Sequence, residues 1–190
     1  MKGHLVLMAK TPQMGRVKTR LAADIGLVQA WAFHRRCLAA AARTLVDSRW
    51  TCWLAIAPDT AAADLHFDGW TNIAQGGGDL GARMFKPMQI LPPGPVVIVG
   101  SDIPGIRTRH IDAAFKILGD HDWAFGPATD GGYWLVGARR RPHLIDPFQG
   151  VRWSSEHALA DTVANLPKNA RVGWVETLSD VDEAIDLIEP

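Results

Sequence analysis

Residues 4–21 read HLVLMAKTPQMGRVKTRL. The first six, HLVLMA, are a short unbroken apolar run, the pattern of a strand buried on both faces. The run ends at Lys10. A loop follows with Pro12 and Gly15, and it holds Lys10, Arg16, Lys18 and Arg20 within eleven positions. Arg16 and Arg20 are four apart and share a face if a helix begins here. A Gly-containing turn at a helix start favours anions through its N–H groups, and nearby Lys and Arg add charge. Di- and triphosphates need both features. The Gly-Lys-Ser/Thr ending of a P-loop is absent. The plain alternative is a solvated basic face.

Further apolar runs lie at 51–57 (TCWLAIA) and 95–99 (PVVIV). Residues 122–126, 133–137 and 171–177 predict more strands, and 71–74 a weaker one. Helical periodicity runs through the Ala-rich stretch 28–46. It returns from Thr108, read as an N-cap, with Ile111, Ala114, Phe115 and Leu118 on one face. Ser155 reads as the cap of another helix carrying Leu159, Val163 and Leu166. A last one starts at Ser179 or Asp180, where Asp180 and Glu183 resemble a capping box. Strands alternating with helices imply βαβ units and a largely parallel sheet. The segments at 122–137 are too close for a helical crossover, so one antiparallel element is expected.

The chain has 190 residues, 47% of them hydrophobic and 21% charged. This suits one domain over 1–190 with its own core. Lys+Arg and Asp+Glu are both 20. The balance argues against a nucleic-acid binder but allows a local basic cluster for a small anion. No apolar run is long enough to span a bilayer. The N-terminal run passes straight into Lys10 and Pro12, so it reads as a strand and not a signal peptide. Cys37 and Cys52 lie in apolar-patterned segments and are expected to be buried and reduced, as in a cytoplasmic protein. The histidines form no metal-binding spacing.

Residues 75–84, QGGGDLGARM, contain Gly76, Gly78 and Gly81 in the G-x-G-x-x-G spacing, with Asp102 downstream. This matches the dinucleotide fingerprint in form. Against it stand a short polar preceding strand, a mid-chain position and too little chain for a separate substrate domain. Backbone contact with a nucleotide base or sugar, or else a structural turn, is the preferred account of these glycines. Two acids follow predicted strands. Asp102 ends PVVIVGSD, and Asp130 stands before Gly131 and Gly132, which leave room for a ligand. Two strand-end carboxylates beside a phosphate loop suit Mg²⁺, which takes one or two carboxylates plus phosphate oxygens and water. Asp as a turn former is the plain alternative. Trp153, before the third helix, is a candidate pocket wall.

Taken in order, MAKTPQMGRVKTRL, QGGGDLGARM, VIVGSDIPG, PATDGGYWLVG and a late WSS resemble a bacterial family of glycosyltransferase-like proteins. That family is related to 2-phospho-L-lactate guanylyltransferase, in the nucleotide-diphospho-sugar transferase superfamily with the GT-A fold. The resemblance covers nearly the whole chain. It implies a three-layer α/β/α sandwich with a mostly parallel mixed sheet. It implies that Lys10, Gly15, Arg16, Lys18 and Arg20 hold nucleotide phosphates, with Lys18, Arg20 and Asp102 catalytic. It puts Gln75, Gly78, Asp79 and Arg83 near the base. It makes Asp102 the principal ligand of Mg²⁺ or Mn²⁺, with Asp130 beside it, and turns Gly131, Gly132, Tyr133 and Trp153 toward the acceptor. The expected partners are a nucleotide or nucleotide sugar and a small-molecule acceptor, with apolar surface left for a homodimer contact. The Asp-x-Asp motif of many GT-A glycosyltransferases is here Gly100-Ser101-Asp102. Glycosyl transfer leads and nucleotidyl transfer from a triphosphate is the alternative. An NAD(P)-dependent oxidoreductase and a non-catalytic nucleotide-binding module stand further off.

Overall fold

The computed structural model describes residues 1–61 and 65–179. Seven strands among them form one sheet: β1 (Gly3–Lys10), β2 (Trp50–Ala57), β3 (Trp70–Ala74), β4 (Val96–Gly100), β5 (Trp123–Pro127), β6 (Tyr133–Ala138) and β7 (Val172–Trp174). Their order is β3-β2-β1-β4-β6-β5-β7. β6 runs antiparallel to both β4 and β5, and the other pairings are parallel. The helices are α1 (Thr19–Ile25), α2 (Leu27–Thr44), α3 (Leu80–Ile90), α4 (Thr108–Asp120) and α5 (Ala158–Ala164).

The period of two along β1 divides the core. Leu5, Leu7 and Ala9 pack with Leu38 and Ala41 of α2 and Ile111 and Ala114 of α4. Val6 points to the other face and packs with Met84 and Met88 of α3, with Leu159 and Val163 of α5 against the same cluster. Both sheet faces are covered, which is why β1 and β4 read as unbroken apolar runs. The fold is therefore the expected three-layer α/β/α sandwich with a mostly parallel mixed sheet.

Several local expectations need correction. Helix α3 has no counterpart in the periodicity reading: Gly81 and Pro87 interrupt its pattern, yet Pro87 stands inside the helix. Arg16 lies before α1, which begins at Thr19, so Arg16 and Arg20 do not share a helical face. Thr108 is the first helical residue of α4 and not its cap. Its hydroxyl donates to the Thr44 carbonyl, while His110 Nδ1 accepts from the Arg107 N–H at 3.1 Å. α5 starts at Ala158, three residues beyond Ser155. Cys52 is buried, but Cys37 is only half-buried, and both are free thiols. The helix expected from Ser179 or Asp180, including Asp182 and Glu183, lies outside the described residues.

Arg140 fixes the approach to β4. It follows β6 in a left-handed conformation, φ 62°. Its guanidinium donates to the carbonyls of Gly94 (2.7 Å), Met88 (2.8 Å) and Leu91 (3.0 Å), and to that of Pro92. These are the orphan acceptors at the end of α3 and in the loop beyond it. Arg140→Ala strands them in a half-buried region and is expected to cost about 2–3 kcal/mol, the scale of charged hydrogen bonds. Urea unfolding would show it. Arg140→Lys should recover only a minor part, since one ammonium cannot reproduce the planar fork.

Candidate active site

The chain passes from β1 outward through β2 to β3, then returns to the opposite flank of β1 as β4. The connections leave β1 and β4 in opposite directions. A crevice opens beyond their carboxyl ends, where open α/β sheets bind ligands. Lys10 ends β1, and Asp102 lies two residues past β4. Because β6 is antiparallel, its first residue, Tyr133, and the preceding turn come to the same edge of the sheet. Trp153 to Glu156 close the far side. The cavity so formed has a volume of about 670 Å³ and reaches across all these segments.

Among the residues singled out from sequence, Lys10, Lys18, Arg20, Gln75, Arg83, Asp102, Asp130, Gly132, Tyr133 and Trp153 line this cavity. Gly15, Arg16, Gly78, Asp79 and Gly131 do not. Gly15 and Arg16 stand exposed on the outer part of the loop.

The basic loop is held by main-chain and ring donors. The Thr11 N–H donates to the Ala57 carbonyl at 2.8 Å. From α2, Trp31 Nε1 donates to the Pro12 carbonyl at 3.0 Å and His34 Nε2 to the Lys10 carbonyl at 3.0 Å. A carbonyl only accepts, so Nε2 of His34 carries the proton and Nδ1 is a bare acceptor. Nδ1 is buried without a hydrogen-bond partner. Burial pushes the His34 imidazole below its usual value, and the Lys10 carbonyl and the Asp102 charge oppose that shift. Further along, Lys18 caps α1 in a left-handed conformation, φ 48° and ψ 49°. Its Nζ meets Asp102 Oδ2 at 2.6 Å.

The glycine run connects β3 to α3. Asp79 caps the helix, its Oδ1 accepting from the Ala82 N–H at 2.9 Å. Its Oδ2 accepts from Trp153 Nε1 at 3.3 Å. A Cβ on Gly81 would press on Trp153 and Phe148, so this glycine lets both rings approach α3. Gln75 is buried and donates to the Ala9 and Ala55 carbonyls at 3.0 and 2.8 Å, pinning β3's end to the central strands. The dinucleotide fingerprint follows the central first strand of its unit. This run follows an edge strand instead, which parts it from that reading.

On the opposite side, Asp130 Oδ1 accepts from the Gly132 N–H at 2.8 Å and shapes the turn before β6. Gly131 has φ +86°, and a Cβ there would strike the backbone of Glu156. The Leu159 N–H donates to the Gly131 carbonyl at 3.2 Å, fastening α5 to this turn. Thr162 donates to the Ala158 carbonyl, so the Tyr133 hydroxyl donates to Thr162 Oγ1 at 3.4 Å. Burial raises the Tyr133 phenol well above its usual value and keeps it neutral. Its ring meets Trp153 edge-on at 6.4 Å. Arg152 is drawn off by Asp161, at 2.9 Å through Nε and 2.7 Å through Nη2.

Among the described residues no group of three or more His, Cys, Asp or Glu side chains could hold a metal ion. Asp102 and Asp130 are two carboxylates on one cavity, a donor set that fits Mg²⁺ completed by phosphate and water. Sequence reasoning missed His34, Ser154, Ser155 and Glu156, which also line the cavity. For His34 the signal was present, as a polar side chain within the buried α2 stripe of Ala30, Leu38 and Ala41.

Residues 37–155 match the family described as "Uncharacterized protein conserved in bacteria (DUF2064)". The chain belongs to this family. No curated protein matches it. Among solved structures, a protein from Desulfovibrio desulfuricans, provisionally named a nucleotide-diphospho-sugar transferase, is 30% identical. The match covers 96% of this chain and 84% of that one, with a TM-score of 0.86. CMP:2-keto-3-deoxy-manno-octonic acid synthetase, solved with CTP, shares the fold at 14% identity, covering 99% and 96%, with a TM-score of 0.58. So does 4-diphosphocytidyl-2C-methyl-D-erythritol synthase from Anaerococcus prevotii, at 9%, covering 98% and 95%, with a TM-score of 0.60. The fold is thus of the nucleotide-diphospho-sugar transferase type, as the resemblance in sequence implied. No described helix is long and apolar enough to cross a membrane.

Gly131→Ala forces a side chain against the Glu156 backbone at positive φ. It should cost at least about 1–2 kcal/mol in unfolding free energy and distort the Tyr133 side of the cavity, which ligand titration would show as weakened binding. His34 yields a pH dependence. The unfolded imidazole titrates near 6.5, and the folded one lower. The unfolded chain therefore binds more protons below that pH. Stability is full above about 6.5 and falls as pH drops toward the folded value. Urea midpoints at pH 7.5 and 5.5 measure the fall. It should shrink in His34→Gln without vanishing, since burial also lowers His4 and His110.

Proposed function

We propose that this protein is a divalent-metal-dependent transferase that takes a nucleotide-activated donor and passes one part of it to a small acceptor. The observation that carries the reading is the convergence of Lys10, Lys18, Arg20 and Asp102 on one cavity at the β1/β4 crevice. Lys10, Lys18 and Arg20 bind the donor's phosphates and stabilise charge that develops there. Asp102, with Asp130, would hold Mg²⁺ or Mn²⁺. The ion supplies charge neutralisation when bound. Arg83 and the glycine run serve the nucleoside end. Tyr133, Gly132 and Trp153 offer ring faces and open backbone to the acceptor. Catalysis in such a site is positioning plus electrostatic stabilisation.

Glycosyl transfer from a nucleotide sugar is the leading reaction, supported by the name and 30% identity of the Desulfovibrio relative. Nucleotidyl transfer from a triphosphate is the second reading. One observation favours it: Gly100 stands where an Asp-x-Asp motif places its first acid, so a single carboxylate follows β4. In either case the setting is a cytoplasmic reaction of small molecules.

Calorimetric titration with nucleoside triphosphates and nucleotide sugars, with and without Mg²⁺, separates the two. Metal-dependent binding of one triphosphate, followed by pyrophosphate release, selects nucleotidyl transfer. Preference for one nucleotide sugar selects glycosyl transfer. Asp102→Asn should lower metal-dependent turnover by about 10²–10³, by analogy with loss of one oxyanion-hole donor, with circular dichroism unchanged. Wild-type turnover in that variant refutes the reading.

A further inference from the structure

The cavity wall opposite the basic loop is made by the turn before β6, by Tyr133 and Trp134, and by the segment 153–156. Its side-chain donors are spent inside the protein. Trp153 Nε1 donates to Asp79 Oδ2 at 3.3 Å, and Trp134 Nε1 to the Glu176 carbonyl at 3.1 Å. The Tyr133 hydroxyl is turned to Thr162, and the Ser155 hydroxyl donates to the Arg152 carbonyl at 2.7 Å. Each of these groups carries a single polar hydrogen, so none is left for a ligand. Ser154 adds a hydroxyl that accepts as readily as it donates.

The same wall lacks cations. Among the described residues, the lysines and arginines that line the cavity are Lys10, Lys18, Arg20 and Arg83, from β1, the loop beyond it, α1 and α3. Arg152 adjoins the wall, but Asp161 holds its guanidinium and it does not line the cavity. Residues 62–64 and 180–190 contain no lysine, arginine or histidine. What the wall offers is acceptor oxygen. Glu156 lines the cavity with its side chain 79% exposed, on a main chain packed against Gly131. Asp130 accepts from the Gly132 N–H through Oδ1 and has a second oxygen, Oδ2. Ionised carboxylates accept and never donate. A phosphate or carboxylate group laid here brings only further acceptors and a like charge. A hydroxyl or an ammonium brings the donors that the wall lacks.

We propose that the acceptor meets this wall through hydroxyl or amino groups and carries no phosphate or carboxylate there, with Glu156 as the residue that selects it. This rests on the transferase reading and adds to it a chemical class of acceptor. In that reading Asp130 goes to the metal, which leaves Glu156 as the carboxylate for the acceptor. Trp153 and Tyr133, edge-on to each other at 6.4 Å, supply ring surface for the acceptor's carbon skeleton.

The test uses the full chain, with excess inorganic pyrophosphate to fill the cationic wall. Ligand-observed saturation-transfer NMR follows glucose, glycerol, myo-inositol and ethanolamine, each beside its phosphate ester. At least one parent compound is expected to bind, and its ester at least about tenfold more weakly, from like-charge juxtaposition. Glu156→Gln should weaken the parent compound about two- to fivefold, the scale of an exposed carboxylate, and narrow the gap to the ester. Glu156→Lys should reverse the order. The Glu156 side chain is exposed, so both variants keep the fold. Tightest binding by ethanolamine identifies an ammonium as the donor, and tightest binding by a polyol identifies hydroxyls; both support the inference. Esters bound as tightly as their parents overturn it. So does an order that Glu156→Lys leaves unchanged, or binding by no parent compound. The transferase reading fails separately, if no nucleotide binds whatever this wall prefers. It survives a preference for esters if nucleotide binding still requires Asp102.

Discussion

Everything at the site follows from the reversal of strand order at β1. The chain builds β1, β2 and β3 in one direction and then lays β4 on β1's free flank. Two parallel strands side by side whose exits diverge leave their carboxyl ends uncovered. The basic loop leaves one of these ends and Asp102 the other. A lysine and an aspartate 84 residues apart become a 2.6 Å pair because two central strands are neighbours. No local preference of either segment would bring them together.

The antiparallel β6 has a matching consequence. Had the chain crossed over by a helix, the segment after β5 would have returned to the amino-terminal edge. The short turn at Asp130–Gly132 keeps it at the carboxyl edge, opposite the basic loop. Gly131 makes that turn tight enough for the Glu156 backbone to lie against it. The cations Lys10, Lys18, Arg20 and Arg83 thus come from one set of segments, whereas Asp130, Tyr133, Trp153 and Glu156 come from another. One cavity therefore has a cationic wall and a separate wall of carboxylate and aromatic side chains.

The fold was legible where burial is strong and one-dimensional. β1 and β4, covered on both faces, show it as unbroken apolar runs, and α2 and α4 show it as a helical stripe. Legibility failed where a local breaker is overridden by packing. In α3, Pro87 gives up a hydrogen bond and is nonetheless buried with Met84 and Met88. The candidate site divided in the same way. Lys10, Lys18 and Asp102 were legible because they stand at or beyond the carboxyl ends of apolar strands. Arg16 was misplaced because its spacing to Arg20 has meaning only inside a helix, and α1 begins three residues later. His34 was passed over because its role depends on a carbonyl 24 positions away. Spacing rules for metal or catalytic histidines do not test that relation.

The glycine run shows why a motif needs its strand. Gly76, Gly78 and Gly81 do what such glycines do elsewhere: two adopt positive φ and the third permits close packing against a helix. The difference lies in what is packed. In a dinucleotide fold the third glycine brings the helix onto its sheet. Here it brings Trp153 and Phe148 onto α3, while Asp79 caps that helix with one oxygen and accepts from the Trp153 indole with the other. The same spacing that would cradle a pyrophosphate on a central strand instead ties the α3 wall to the 153–156 wall. Its position on the edge strand decides between these outcomes. The cations Lys10, Lys18 and Arg20 are gathered instead at the loop after β1, where the sheet leaves its crevice open.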